Sequence, residues 1–489
     1  MATNAAHDGR RWPLAAVLPP LLGSLSFAIS VDAADGYFDT TWVGGGRIAF
    51  EESPYFPNNP SYVRAVLADS GGNTLLFGST TPSLITLNSS WLGQVLPNGQ
   101  FVPSFGASDA TGRITGCQIS SSLCDDKPLA VAIQRDGRYV VAGVNYLFRT
   151  TVNASALDIQ ESSLVTVNDV GGKVLAQTLA MQSGTKILAA GRAYYSPVAS
   201  KDVFGVMRLG SDMLLDTGFG AMKDAQQTTF AGGALVNVSA ADSAEEVENI
   251  LVQPDGMIVL AGIGNPGLYI ETARFTADGL LDTSYGNNGA ARLSWSQGSI
   301  ITNTEIGTFT SSVMDSAGRV VIAATAVTTA FGIQGMLVTR LDSTGSVDTS
   351  FGDAFGGPGV SFNFNFQSQC TKVVAHGLAV DSAGRILVVG TCYNTASGPT
   401  YFAVERLRGD GTLDTSFGVG GFSLGTYANS YNSNVAFSVA FDASGHPIVA
   451  GGTGPSSVVA SGAARLTYDL IYTSGFETAP RGCLPPDCN

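Results

Sequence analysis

One position on the apolar strands of this sequence changes residue type while its surroundings repeat. It lies five residues before a polar turn residue, as His376 lies before Asp381. The same offset holds residues of diverse chemistry in five other repeats: Arg64, Leu129, Glu248, Thr310 and Phe437. A side chain that varies within a fixed frame fits a channel mouth or a ligand site. We predict that Arg64, Glu248, Thr310 and His376 are binding residues; the alternative is a variable, solvent-facing rim.

The sequence offers little material for catalytic histidines or metal sites. After the N-terminal leader only His376 and His446 remain, which argues against a Ser-His-Asp triad or a His-rich zinc site. The repeated aspartates lack the DxDxDG spacing, and one carboxylate per turn is too few for calcium. The run Asp242–Glu248 is denser in acid and is either a solvated loop or part of a cation site. We therefore predict no metal and no cofactor.

Two short patterns set the frame for these side chains. The first, DGxLDTSFG, is best preserved at 278–286, 344–352 and 410–418, and its second aspartate recurs at intervals of 66 residues: Asp216, Asp282, Asp348 and Asp414. This aspartate can accept bonds from backbone N–H groups ahead of it, as in an Asx turn. The aromatic that follows is predicted to pack between neighbouring units.

The second pattern is a polar turn followed by a wholly apolar run that ends in Ala-Gly or similar, as in SAGRILVVG at 382–390. A run without alternation predicts a strand covered on both faces. It occurs seven times, with closing residues Gly78, Gly143, Gly191, Gly262, Ala324, Gly390 and Gly451. The unit 282–348 resolves into four strands near 289–295, 304–315, 319–326 and 335–342.

Four short strands per unit predict an all-β, seven-bladed β-propeller of four-stranded blades. One blade, near 165–191, is degenerate and is expected to lack a strand. The chain begins with the turn pattern at Asp35 and ends with the strand pattern at Arg465-Leu466. We predict that the N- and C-terminal segments meet and close the ring, because closure removes exposed sheet edges.

Composition supports a rigid, turn-rich protein and excludes some partners. The chain of 489 residues has 60 glycines, 13 % charged residues and a net charge of −14. Such a surface repels phosphate backbones, so nucleic-acid binding is not expected. Apart from the leader, no apolar stretch is long enough to span a membrane. We expect a monomer.

The N-terminus indicates export. Arg10 and Arg11 precede an apolar run and small residues at Ala33 and Ala34, which is typical of a secretory signal peptide. We predict a signal peptide at 1–33, the propeller at 34–470 and a C-terminal tail at 471–489. The mature protein is then secreted, periplasmic or attached to the cell surface. In an oxidising compartment the six cysteines are expected to form three local disulfides: Cys117–Cys124, Cys370–Cys392 and Cys483–Cys488.

The two patterns together resemble the delta-60 repeat of bacterial exported proteins, a β-propeller family. The resemblance covers about 35–466 and is specific at Asp278–Gly286, Thr344–Gly352 and Asp410–Gly418. It is weaker at Asn98–Gly106, where Val102 replaces the aspartate. It implies the fold and export, and no common catalytic residues. The tail DLIYTSGFE at 469–477 resembles C-terminal segments of secreted proteins of some gammaproteobacteria; it is either a sorting signal or an extension stapled by its cysteines.

These observations favour an exported, non-enzymatic scaffold that binds protein or glycan through the loops of the propeller. Propellers hold freely varying loops on a rigid frame. The alternative is an extracellular polysaccharide-acting hydrolase or lyase that uses carboxylates in the propeller mouth, since such mouths assemble residues from different blades. A structural adhesion module is a third possibility. No residue pair marks a catalytic centre, and the sialidase-type Asp-box and the WD signature are absent.

Overall fold

The computed structural model describes residues 35–468, except 51–60, 70, 81–88, 107–111, 116–127, 144–145, 152–153, 155–163, 167–173, 184, 196–200, 221–231, 239–244, 265–268, 294–304, 328–332, 365–369, 395–397, 429–431 and 456–459. Of the predicted segments, the signal peptide and the tail from 471 lie outside this part. No helix within the described ranges is long and apolar enough to cross a membrane.

The described residues form seven antiparallel sheets of four strands each. Blade 1 contains β2(Ser61–Ala68), β3(Thr74–Thr80), β4(Ser89–Val95) and β5(Arg113–Thr115); blade 2 contains β6(Pro128–Ile133), β7(Tyr139–Gly143), β8(Tyr146–Arg149) and β9(Leu164–Thr166); blade 3 contains β10(Val174–Gln182), β11(Lys186–Tyr195), β12(Lys201–Leu209) and β13(Gly233–Val236).

Blade 4 contains β14(Glu245–Val252), β15(Ile258–Gly264), β16(Tyr269–Phe275) and β17(Ala290–Leu293); blade 5 contains β18(Glu305–Met314), β19(Val320–Val327), β20(Gln334–Leu341) and β21(Val360–Asn363); blade 6 contains β22(Lys372–Val380), β23(Ile386–Tyr393), β24(Thr400–Leu407) and β25(Phe422–Gly425). Blade 7 contains β26(Ser433–Phe441), β27(Pro447–Gly454), β28(Ala460–Arg465) and the first described strand, β1(Arg47–Phe50), which follows a turn at Val43–Gly46 whose glycines have positive φ.

The predicted seven-bladed propeller, closed by the two ends of the chain, is confirmed. β1 pairs with β28 in antiparallel register, from Arg47 opposite Ala464 to Phe50 opposite Ser461. A further bridge joins Phe38 to Leu466. The blade around 165–191 that was expected to lack a strand is complete, because that segment supplies β9 to blade 2 and both β10 and β11 to blade 3. Its degeneracy is confined to the turn motif.

The boundary between blades differs from the one read from the 282–348 unit. β17, the strand that follows the DTSYG turn, pairs with β16 and completes blade 4, so it does not begin blade 5. The turn motif reverses the chain, so that β17 lies next to β16, the strand that precedes it in the sequence. This pairing needs no connection other than the turn motif itself. The order of strands in the 282–348 unit predicts that His376 lies on the second strand of its blade; it lies on the first, β22.

The core is divided among the seven blade-to-blade interfaces. Each apolar cluster combines residues of two adjacent blades; the one between blades 6 and 7, for example, joins Val389, Phe402 and Phe417 to Val449 and Ala464. The second strands are buried along almost their whole length, as in β23. Burial on both faces explains why these runs are apolar at every position.

The turn motif locks each blade to the next. In blade 4, Arg274 at the end of the third strand forms an ion pair with Asp282 (2.6 Å) and lies over the ring of Tyr285. Asp282 also accepts the backbone N–H of Ser284, which confirms the predicted Asx turn. The Arg274 guanidinium then donates to the carbonyl oxygen of Ser343 in blade 5. We call this arrangement the arginine latch.

The latch recurs around the ring. Four other arginines pair with the aspartate of a turn motif and bond to the neighbouring blade: Arg208, Arg340, Arg406 and Arg465. The aromatic ring packs against the glycine of the next motif, so that the Phe219 ring leaves no room for a side chain at Gly279, whose φ is +83°. In blade 1, Gln94 replaces the arginine and Val102 replaces the aspartate, so both charges are lost together.

Candidate functional site

The first strand of every blade contains a β-bulge. At this bulge one residue of the strand is left without a partner on the second strand, as His376 is between the pairs Ala375–Gly390 and Gly377–Val389. The first strand of blade 5 has a further register shift, between Ile306 and Thr308. The unpaired residues of blades 1 to 7 are Arg64, Leu129, Gln177, Glu248, Thr310, His376 and Phe437. A bulge re-aims one side chain while the rest of the strand keeps its register. We call these seven residues the bulge ring.

The bulge ring contains all the predicted binding positions and adds Gln177. The sequence analysis missed Gln177 because its repeat lacks the DGxLDTSFG pattern. The available signal was Gln182, which lies five residues downstream at the start of the turn before the apolar run of β11. The variable position is therefore present in all seven blades.

The repeated glycine of the second strand belongs to the same β-bulge. Gly390 lies opposite the residue that precedes the bulge, and a side chain there would overlap the carbonyl oxygen of Val374. The same conflict exists at Gly78, Gly191, Gly262 and Gly451. In blade 5 this position is Ala324, and there the pairing shifts at two places, between Ile306 and Thr308 and between Phe309 and Ser311. The glycine thus permits the single, sharp bulge.

The first strands line the axis of the propeller. Each is an edge strand of its sheet, and first strands of neighbouring blades pack against one another, as β2 with β26 and β22 with β26. Arg64 and Glu248 are each the fourth residue of their strands. Both repeated turns lie on the side of the propeller where the first strands end. We call this side the motif face. The bulge ring lies between the motif face and the opposite side, the loop face, where the first strands begin.

One side of the bulge ring combines a cation with aromatic rings. The Arg64 guanidinium lies 5.3 Å from the ring centre of Tyr62 and 5.2 Å from that of Phe437 in blade 7. Phe437 in turn lies 5.1 Å from the His376 ring of blade 6. Arg64 is exposed to solvent, while Tyr62, His376 and Phe437 are partly exposed. The channel walls partly desolvate the guanidinium, which lowers the pKa of Arg64 from its ordinary value. We call these four residues the Arg64 cluster.

His376 is a neutral imidazole at neutral pH. Burial lowers the pKa of His376 to about 4, and the positive charge of Arg64 contributes to this shift. Its Nε2 shares a hydrogen bond of 3.1 Å with the hydroxyl of Thr391 on the adjacent strand. His376 is thus a polar, uncharged side chain beside the channel. It adds no second positive charge next to Arg64.

A pair of carboxyl groups lies in blade 4. Burial, assisted by the nearby Glu246 carboxylate, raises the pKa of Glu248 to about 7. Glu246 accepts a hydrogen bond from the Gln177 amide of blade 3. Glu245, the first residue of β14, is buried and accepts the backbone N–H of Val238. The acidic run is therefore in large part a strand and not a solvated loop.

The remaining predicted sites are resolved in part. Thr310 occupies the bulge of β18, and its side chain lies outside the described part. The Cys370–Cys392 disulfide is present, with a Cα separation of 5.4 Å, and joins the segment before β22 to β23. The other two cysteine pairs lie outside the described residues. Within the described ranges, no three His, Cys, Asp or Glu side chains come close enough to share a metal ion.

Three stretches of the chain match the model of a family described as "Domain of unknown function (DUF5122) beta-propeller": residues 253–285, 318–351 and 384–417. Each stretch begins in the turn after a first strand and ends at the aromatic residue of an arginine latch. The matches lie in blades 4, 5 and 6. Among curated proteins, none resembles the chain at a significant level.

Solved structures resemble the chain at low identity. A protein of unknown function from Bacteroides caccae is 10 % identical over 75 % of this chain and 98 % of its own, with a TM-score of 0.33. The Dos1 propeller is 9 % identical over 86 % and 94 %, with a TM-score of 0.40. Sqt1 from Chaetomium thermophilum is 12 % identical over 84 % and 97 %, with a TM-score of 0.39. At this distance they carry no inference about function.

Proposed function

We propose that the protein is an exported, non-enzymatic propeller of the delta-60 type that binds protein or glycan at its loop face and the adjoining channel. One observation carries the proposal: the same position of every first strand is a bulge, and the seven residues at that position around the propeller axis differ in chemistry. The frame is repeated from blade to blade, and only the presented residue varies. Such an arrangement suits recognition, in which one rigid scaffold holds diverse contacts.

Export is supported by the leader sequence and by the disulfide. The apolar run after Arg10 and Arg11 fits a signal peptide, and the Cys370–Cys392 bridge suits an oxidising compartment. We place the mature protein outside the cytoplasm, in the periplasm, at the cell surface or in the medium.

The test is a screen of the mature, oxidised protein against immobilised glycans and extracellular proteins. We expect at least one class of polymer to bind, and we expect binding to weaken when Arg64 and Glu248 are replaced by glutamine. The matched control is Arg408→Gln, at an exposed arginine on the motif face. Turnover of a polymer by the wild type would contradict a non-enzymatic function, and so would binding that is unaffected by every bulge-ring variant.

The alternative, a hydrolase or lyase acting on an extracellular polysaccharide, is favoured by the Glu246–Glu248 pair. A carboxyl group with its pKa raised to about 7 beside a second carboxylate is suited to general acid catalysis. If this alternative holds, Glu248→Gln abolishes polymer cleavage while binding persists. Reducing-end assays on a panel of polysaccharides distinguish the two functions.

A further inference from the structure

Arg64 differs from the arginines that hold the propeller together. Latch arginines such as Arg274 and Arg406 have carboxylates at 2.6–2.8 Å. Among the described residues, no carboxylate lies within ion-pair distance of Arg64. Its one hydrogen bond there is from Nε to the Ser79 hydroxyl, at 3.4 Å. The guanidinium therefore keeps donors available to a molecule in the channel.

Arg64 lies against two partly exposed aromatic rings, Tyr62 and Phe437, which pack edge to face. The bulge aims Arg64 between the rings of Tyr62 and Phe437, and Gly78 leaves room for the carbonyl oxygen of Tyr62. The hydroxyls of Ser79 and Thr391 are buried and bond to Arg64 and to His376. The aromatic rings offer apolar contact area beside the guanidinium.

We propose that the Arg64 cluster binds the carboxylate of an acidic sugar unit at the end of a glycan. This inference rests on the proposed binding function and names its ligand class. The planar guanidinium matches a carboxylate with two parallel hydrogen bonds. The rings of Tyr62 and Phe437 then cover the carbon face of the sugar.

Two features select this ligand over other anions. A peptide that added as a strand to the inner edge would need an unbroken hydrogen-bonding row, and every inner strand is interrupted by its bulge. The net charge of −14 repels long polyanions, including nucleic acids. A single terminal carboxylate entering the channel avoids most of that repulsion.

The experiment compares a trigalacturonate with its fully methyl-esterified form by isothermal titration calorimetry on the mature, oxidised protein. The two probes share ring and hydroxyl groups and differ in charge. We expect the acid to bind at least tenfold more tightly than the ester, and Arg64→Gln to remove this difference. Arg64→Lys, which keeps the charge and loses the planar fork, is expected to bind with intermediate affinity. Arg408→Gln is the matched control.

Specific outcomes overturn the inference. Equal binding of acid and ester does so, as does an Arg64→Gln variant that is folded and still prefers the acid. Binding of neutral glycans alone overturns the acidic-sugar site but leaves the proposed scaffold function intact. If the acidic sugar does not bind, and a peptide binds with a free C-terminal carboxylate but not as its amide, the acidic-sugar site is likewise overturned and the scaffold function stays intact. Cleavage of the probe contradicts the scaffold function itself.

Discussion

The arginine latches and the bulge ring use the same repeat in opposite ways. In most blades the latch consists of an arginine, an aspartate and an aromatic residue, and its polar groups bond to one another or to the neighbouring blade. Arg406, for example, is buried, paired with Asp414 and bonded to Asp35 of the closing segment. The bulge ring has a different residue in each blade, and Arg64 is exposed. Repetition therefore marks the parts that hold the ring together, while variation on a repeated frame marks the part that faces a ligand.

The largest expected effect is at the latch that closes the ring. Arg465 pairs with Asp39 at 2.6 Å and with Asp442 at 3.2 Å. Arg465→Gln leaves two buried carboxylates without their cation and is expected to cost about 3–5 kcal/mol of unfolding free energy. Urea denaturation measures the loss. Arg408→Gln, at a half-exposed arginine, is the control; an equal loss in both variants would remove the distinction.

The disulfide is expected to have the next largest effect. Cys370–Cys392 closes a loop with a sequence separation of 22 residues beside the strand that carries His376. Replacing both cysteines by alanine is expected to cost about 2–4 kcal/mol, because the unfolded chain regains its freedom. Denaturation of the wild type with and without reductant should reproduce the change. No difference would show that the bridge does not contribute to the stability of this blade.

The bulge glycine connects the two regions. Gly390→Ala places a methyl group against the carbonyl oxygen of Val374, so we expect a loss of about 1–3 kcal/mol from the forced backbone shift. The reverse change, Ala324→Gly in blade 5, should be tolerated with a much smaller effect. Thermal unfolding of the two variants measures the contrast. If Gly390→Ala unfolded at the same temperature as the wild type, the bulge would not require glycine at this position.

The carboxyl group of the bulge ring should appear in the pH dependence of stability. The folded-state pKa of Glu248, about 7, exceeds its ordinary value of 4.5, so the folded protein keeps a proton that the unfolded chain releases. Its contribution to stability is therefore greatest below about pH 4.5 and falls as the pH rises to 7. Glu248→Gln should flatten this part of the stability curve, and Asp255→Asn, at an exposed carboxylate on the motif face, should not.

The smallest expected effect on stability is at Arg64 itself. Arg64→Gln breaks no ion pair among the described residues, so the unfolding free energy should change by no more than about 0.5 kcal/mol. Together with Arg465→Gln, this variant forms a direct comparison between a free and a latched arginine. A loss of several kcal/mol in Arg64→Gln would assign Arg64 to the scaffold instead of the binding site.

The sequence predicted the repeated hardware well because its causes are local. The 66-residue spacing, the Asx turns and the doubly covered strands depend on residues close together in the chain. The missed Gln177 shows the limit of this reasoning, since its repeat lost the marker words and kept the bulge. The assignment of β17 was also beyond the sequence, because either neighbouring sheet could accept that strand.

The sequence by itself determined the fold class, the number of repeats and the ends that meet, because apolar patterning and turn chemistry act over a few residues. Only the tertiary structure decided that six scattered positions and Gln177 are bulges on one ring. It also decided that Arg64 lies against Tyr62 and Phe437, with no carboxylate partner among the described residues. Those relations join blades that are distant in the chain, and they exist only after the closed ring has brought all seven inner strands around one axis.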